Sequence, residues 1–72
     1  MNLLERIEIN PRVLSGKPVI KGTRIPVELI LKLLANGWTF EKIEEEYRIN
    51  GDDIRACLLY ASKILEDEEV IV

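Results

Sequence analysis

Histidine is absent from this 72-residue sequence and cysteine occurs once, as Cys57. A lone cysteine cannot close a disulfide within the chain, which sets the sequence apart from the small secreted domains stapled by two to four bridges. Without histidine, the familiar zinc spacings and the Ser-His or Cys-His nucleophile pairs cannot be assembled from this chain alone. No apolar run approaches the roughly 20 residues that cross a bilayer, and Met1-Asn2-Leu3-Leu4-Glu5-Arg6 lacks the apolar stretch and cleavage site of a secretory leader. The expectation is a cytoplasmic protein with no membrane partner, no metal, no cofactor and no catalytic activity.

What is present is enough to fold. Apolar residues make up 47% and charged residues 32%, too much Leu, Ile and Val for a disordered chain. A chain of this length buries only about 60% of the surface its unfolded form exposes, so one domain without a large enclosed site is expected. The formal charge of -3 is unevenly spread. Residues 1–40 hold six basic side chains against three acidic ones, whereas residues 41–72 hold four against ten. The basic front half suits an anionic partner and the acidic half repels one within a Debye length of about 8–10 Å; a mixed solvated surface is the plainer alternative.

Hydrophobic spacing orders the chain into one mainly α domain, a three-helix helix-turn-helix bundle with a short N-terminal β-strand or hairpin region. Residues 1–25 hold a strand over Arg6-Ile7-Glu8-Ile9, closed by Asn10-Pro11, and then a Gly/Pro-rich loop with two extended pieces about a turn at Lys21-Gly22. Pro26, expected at the first helical position, opens helix 1 over 26–36, with Gly37 past its end. Thr39 offers a cap to helix 2 over 39–47, where Phe40, Ile43 and Tyr47 share a face and Glu44, Glu45 and Glu46 lie opposite. Helix 3 spans 51–66 with Ile54, Cys57, Leu58, Ala61, Ile64 and Leu65 as its apolar stripe. The acidic tail 67–72 ends in Val70, Ile71 and Val72, which suit an edge strand beside residues 6–9, a docking segment on another chain, or a frayed end.

Two sets of residues are candidates for nucleic-acid contact. If helix 3 reads a major groove, Arg48, Asn50 and Arg55 are its obvious readers, although Asp52 and Asp53 put carboxylates at the end that meets phosphate. Glu44 and Arg48 also stand where that unit favours a small residue and a turn glycine. Arg12, Lys17, Lys21 and Arg24 lie in the Gly/Pro-rich loop, where backbone amides and cations hold phosphate in other proteins; exposed charges on a turn are the plain alternative. Gly16-Lys17 is no phosphate-binding P-loop, because Pro18 follows where Ser or Thr is needed. Cys57 falls on the helix 3 stripe and reads as a packed thiol, and Trp38 as a plug between helices 1 and 2.

Helix 1 carries Val27, Leu29, Ile30, Leu31, Leu33, Leu34 and Ala35, more apolar surface than a three-helix unit covers. Another chain is expected to cover the surplus, most simply in a homodimer, with Leu29, Leu33, Val70, Ile71 and Val72 as the candidate interface.

The block Ile9-Asn10-Pro11-Arg12-Val13-Leu14-Ser15-Gly16-Lys17-Pro18-Val19-Ile20-Lys21-Gly22-Thr23-Arg24-Ile25-Pro26-Val27 resembles the prokaryotic domain-of-unknown-function family numbered 433. Leu34 to Gly37, Glu41 to Ile43, Asp53 to Ala56 and Leu59 to Ala61 continue the likeness over about four-fifths of the chain. The resemblance implies a homeodomain-like helix-turn-helix fold. In part of the family it implies an antitoxin in a toxin-antitoxin system, a dimeric DNA-binding module that covers a PIN-like ribonuclease toxin. The expected partners are therefore a second copy, such a toxin, and operator DNA; a structural dimer or adaptor without nucleic-acid contact is the alternative.

Overall fold

In the computed structural model, which describes residues 2–66, the chain enters through a 3-10 turn, Leu3–Arg6, begun by Asn2, whose side-chain oxygen accepts the Leu4 amide at 3.0 Å. The alternating Ile7-Glu8-Ile9 then runs extended as β1 (Ile7–Ile9). It pairs antiparallel with β2 (Pro18–Ile20), with Ile7 opposite Ile20, Glu8 opposite Val19 and Ile9 opposite Pro18. Arg6, expected in the strand, belongs to the preceding turn, which the Ile7 amide closes by donating to the Leu4 carbonyl.

Thr23 ties the next turn together. Its amide and hydroxyl both donate to the Ile20 carbonyl, at 3.0 and 2.7 Å, and the hydroxyl accepts the Ile25 amide at 3.0 Å. Gly22, at φ +79°, takes the left-handed position this reversal needs. The Ile20 amide then donates to Ile25, and Val19 bridges Pro26. That bridge keeps Pro26 extended, so it caps α1 (Val27–Ala35) from outside instead of forming its first residue.

At the other end of α1, Gly37 is left-handed at φ +87°, the Gly37 amide donates to Leu34 and the Trp38 amide to Leu33. This is a Schellman stop, the physical reason a glycine follows the helix. Thr39 then starts α2 (Phe40–Tyr47) by accepting the Lys42 amide at 3.1 Å. Trp38 sits half-buried at the α1–α2 junction, 6.3 Å from the Tyr47 ring, with the Lys42 ammonium 4.3 Å above its own ring.

Arg48 ends α2 in a left-handed conformation, φ 54° and ψ 46°, a position that a glycine adopts without steric penalty. Arg48→Gly is therefore expected to raise stability by about 0.5–1 kcal/mol, the relieved strain less the added chain entropy, read as a higher thermal midpoint.

The third helix, α3 (Gly51–Glu66), begins with a reciprocal cap: the Asn50 side chain accepts the Asp53 amide at 3.0 Å, and the Asp53 carboxylate accepts the Asn50 amide at 3.1 Å. Ile30, Ile43 and Ile54, one from each helix, are fully buried and join Ile20, Val27 and Cys57 in one cluster. Burial of each such isoleucine is worth about 1.5–3 kcal/mol, so this cluster dominates folding. Partly buried Ile7, Leu33, Leu34, Tyr47 and Tyr60 pack around it. Over the described residues the protein is thus mainly helical, with three α-helices and a short antiparallel hairpin at its front. Among the described residues no helix is long and apolar enough to cross a membrane. Val70, Ile71 and Val72 of the tail lie outside the described residues.

Candidate partner-binding surfaces

The loop between β1 and β2 begins with an Asx turn, in which the Asn10 side chain accepts the Arg12 amide at 2.9 Å. Leu14, Ser15 and Gly16 follow, all left-handed, at φ 48°, 56° and 82°. This backbone carries Arg12 and Lys17 outward, both exposed, while the Thr23 turn does the same for Lys21 and Arg24. Lys17 is engaged within the chain: its ammonium donates to the Glu28 carboxylate at 2.6 Å, in the first turn of α1. That contact holds the Glu28 carboxyl below its usual pKa of 4.5. A depressed carboxyl favours the fold above its unfolded pKa and loses that contribution as pH falls through the folded one. Arg12, Lys21 and Arg24 have no ion-pair partner among the described residues.

The second set is arranged differently. Asn50 spends its carboxamide oxygen on the α3 cap, and Arg55 donates to Asp52 at 2.8 Å one turn back on the same helix. Arg6 reaches the same helix start from 47 positions away, donating to Asp53 at 3.1 Å with Asp52 at 3.8 Å. The end of α3 that a groove-reading helix presents to phosphate is therefore a pair of carboxylates held by two arginines. Asn50 and Arg55 serve the helix, and of this set only Arg48 is exposed without an ion pair among the described residues. An open cleft of about 510 Å³ beside it is lined by Glu5, Arg6, Lys21, Asp52 and Asp53, carrying both signs of charge. Arg6 was not among the sequence candidates; its partner is distant in the chain and no local pattern points to it.

The apolar surplus also sits elsewhere than expected. β2, α2 and α3 all pack against α1, so Leu29, Leu31, Leu33 and Leu34 are each half-buried and none stands exposed. Among the described residues the exposed large apolar side chains are instead Leu58 at 41%, Ile64 at 47% and Leu65 at 61% on α3, Ile9 at 58% on β1 and Leu14 at 40% in the loop that follows it. Leu58, Ala61 and Leu65 recur at i, i+3 and i+7 and form a ridge along one flank of α3.

Cys57 is fully buried, and loss of solvent pushes its thiol from 9.0 up to about 12, with the Asp53 carboxylate adding to the shift. The native thiol is expected to resist an aromatic disulfide reagent at mildly alkaline pH and to react at once in denaturant. Because the folded pKa is the higher one, the stabilisation is complete below pH 9.0 and is lost as pH rises through about 12, so a pH series of thermal midpoints should fall across that window.

The sequence model of a family described as "Protein of unknown function (DUF433)" matches residues 7–61. Uncharacterized protein y4eO of Sinorhizobium fredii is 33% identical over 58 residues, a match covering 79% of this chain and 26% of that protein. An uncharacterized protein of Archaeoglobus fulgidus is 50% identical over 30 residues, 42% of this chain and 83% of that one. The crystal structure at 2.00 Å resolution of a DUF433 member from Anabaena variabilis shares the fold with a TM-score of 0.78 at 27% identity, over 85% of this chain and 61% of that chain. The match thus spans about a quarter of the rhizobial relative and three-fifths of the cyanobacterial one.

Proposed function

Because the chain belongs to the DUF433 family, which is described only as of unknown function, we propose a role from its surfaces: a small non-catalytic binding module, the antitoxin of a toxin-antitoxin pair. In this reading it pairs with a second copy, covers a PIN-like ribonuclease toxin, and touches its operator DNA through the loop cations. The observation that carries it is the ridge Leu58-Ala61-Leu65, with Leu58 41% and Leu65 61% exposed. An apolar seam at i, i+3, i+7 on an exposed helix is the form in which one helix meets another. Its partner is a protein.

The DNA contact rests on Arg12, Lys21 and Arg24, which are exposed and without ion pairs among the described residues. They would hold phosphate and not bases, so binding should weaken steeply with salt, with a slope of about -3 in log K against log salt if all three neutralise a phosphate. The adaptor reading, without nucleic acid, is favoured by one observation, the carboxylates Asp52 and Asp53 at the start of α3. A mobility-shift titration with the DNA upstream of its own gene, run at two salt concentrations, separates them. A shift that fades with salt supports the antitoxin reading, and none at low salt leaves the adaptor. Co-expression with the adjacent gene product tests the toxin: co-purification and relief of growth arrest are expected, and failure of both removes it.

A further inference from the structure

Residues 2–9, the first 3-10 turn and β1, form an arm whose anchors lie far along the chain. Arg6 donates to Asp53 of α3 at 3.1 Å, the Lys21 amide donates to the Arg6 carbonyl at 2.7 Å, β1 pairs with β2, and Ile7 packs against the core. A second copy of β2 and α3 offers the same anchors. The loop that joins the arm to the rest is strained: Leu14 and Ser15 hold φ 48° and 56°, two consecutive left-handed residues with side chains, ahead of Gly16 at φ 82°. That region is costly for any residue but glycine, so an arm kept on its own chain keeps the loop under strain.

The loop is closed mainly by bonds to itself: the Val13 amide donates to Asn10, Gly16 to Val13 and Lys17 to Leu14. Neither Val13 nor Leu14 joins the core cluster, and Leu14 is 40% exposed. Lys17 pairs with Glu28 at the end next to β2, a contact kept when the loop opens. Straightened, residues 10–16 reach about 23 Å, well past the separation of about 8–10 Å between the axes of packed helices. α3 carries both the exposed ridge and the surface that receives the arm. Two copies joined along that ridge hold their arm sites side by side, where each arm meets the other's site at an effective concentration of about millimolar. We propose that the pair exchanges arms: residues 2–9 of each copy dock on β2 and α3 of the other, the contacts of the arm are remade across the pair, and Leu14 and Ser15 leave the left-handed region as the loop opens. This rests on the reading that the ridge receives a second copy.

A cross-strand disulfide in the full chain tests this. Ile9 stands opposite Pro18, so Ile9→Cys with Pro18→Cys closes a bond within one chain if the arm stays at home and between two chains if it is exchanged. Cys57 is fully buried and takes no part. The variant is refolded at low and at high protein concentration, oxidised, alkylated and run on a non-reducing denaturing gel, with peptide mapping to show that the bond joins positions 9 and 18. A covalent dimer that grows with concentration is expected, and adding Leu58→Glu and Leu65→Glu should abolish it. Leu14→Gly with Ser15→Gly relaxes the closed loop and should lower the dimer fraction about fivefold or more, whereas Ser15→Pro, which cannot take a positive φ, should raise it. Links only within chains, where light scattering gives a dimer, overturn the exchange and leave the pairing. A monomer by light scattering at every concentration overturns both. A covalent dimer fraction equal in the parent loop and the glycine variant overturns the strained hinge as the cause.

Discussion

Replacing Ile54 with alanine is expected to lower the thermal midpoint by at least about 10 °C and to leave much of the protein unfolded at physiological temperature. Ile54 is fully buried where α3 meets Ile30 of α1 and Ile43 of α2, so the cavity would open at the junction of all three helices. Truncations of this kind cost about 2–5 kcal/mol, and a domain of this length has roughly 4–11 kcal/mol in all. The loss is thus a large fraction of the total, and at about 4–8 °C per kcal/mol it is easily read from a circular dichroism melt. Leu65→Ala is the control, because Leu65 is 61% exposed and should change stability by no more than about 0.5 kcal/mol. Equal midpoints for the two variants would mean that the three helices do not converge on Ile54.

The features legible in the sequence are those decided within a few residues. Gly37 stops α1 because a left-handed residue is needed there, Thr39 starts α2 because its hydroxyl meets an amide three positions on, and both can be read from the letters. The hairpin turn is of the same kind, since Gly22 and Thr23 carry its geometry between them. Asn50 and Asp53 have the spacing of a reciprocal cap as well, a local signal that assigns the Asn50 oxygen to the helix start and not to a base edge. What could not be read was set by packing between distant segments. The leucines of α1 are numerous in any reading, but only the positions of β2, α2 and α3 decide that each is half-covered while Leu58 and Leu65 are not. Arg6 pairs with Asp53 across 47 positions, and no periodicity announces such a contact. Of the loop cations, Lys17 is drawn off by Glu28 on the neighbouring helix, which the alternation of types along the chain does not encode.

Leu58→Glu combined with Leu65→Glu is expected to leave the fold intact and to weaken the proposed association with a protein partner by at least about 100-fold. Both side chains are exposed, so two carboxylates there stay solvated in the lone chain and cost little stability. In a complex they would be stripped of water against an apolar surface, and an unpaired buried charge costs several kcal/mol, where each 1.4 kcal/mol is about a factor of ten. If the proposed pairing runs through this ridge, light scattering should give a monomer for the variant where it gives a dimer for the parent, and a protein from the adjacent gene that co-purifies with the parent should no longer follow the variant. Leu58→Ala with Leu65→Ala should weaken the same association less, because it removes contact without burying charge. That order, glutamate worse than alanine with both thermal midpoints near the parent when all three are melted at concentrations too low for pairing, is what an interface produces and a merely exposed pair of leucines does not. Unchanged association in the glutamate variant would take the ridge out of the interface and leave the half-buried Leu29 and Leu33 of α1 as the surface to test next.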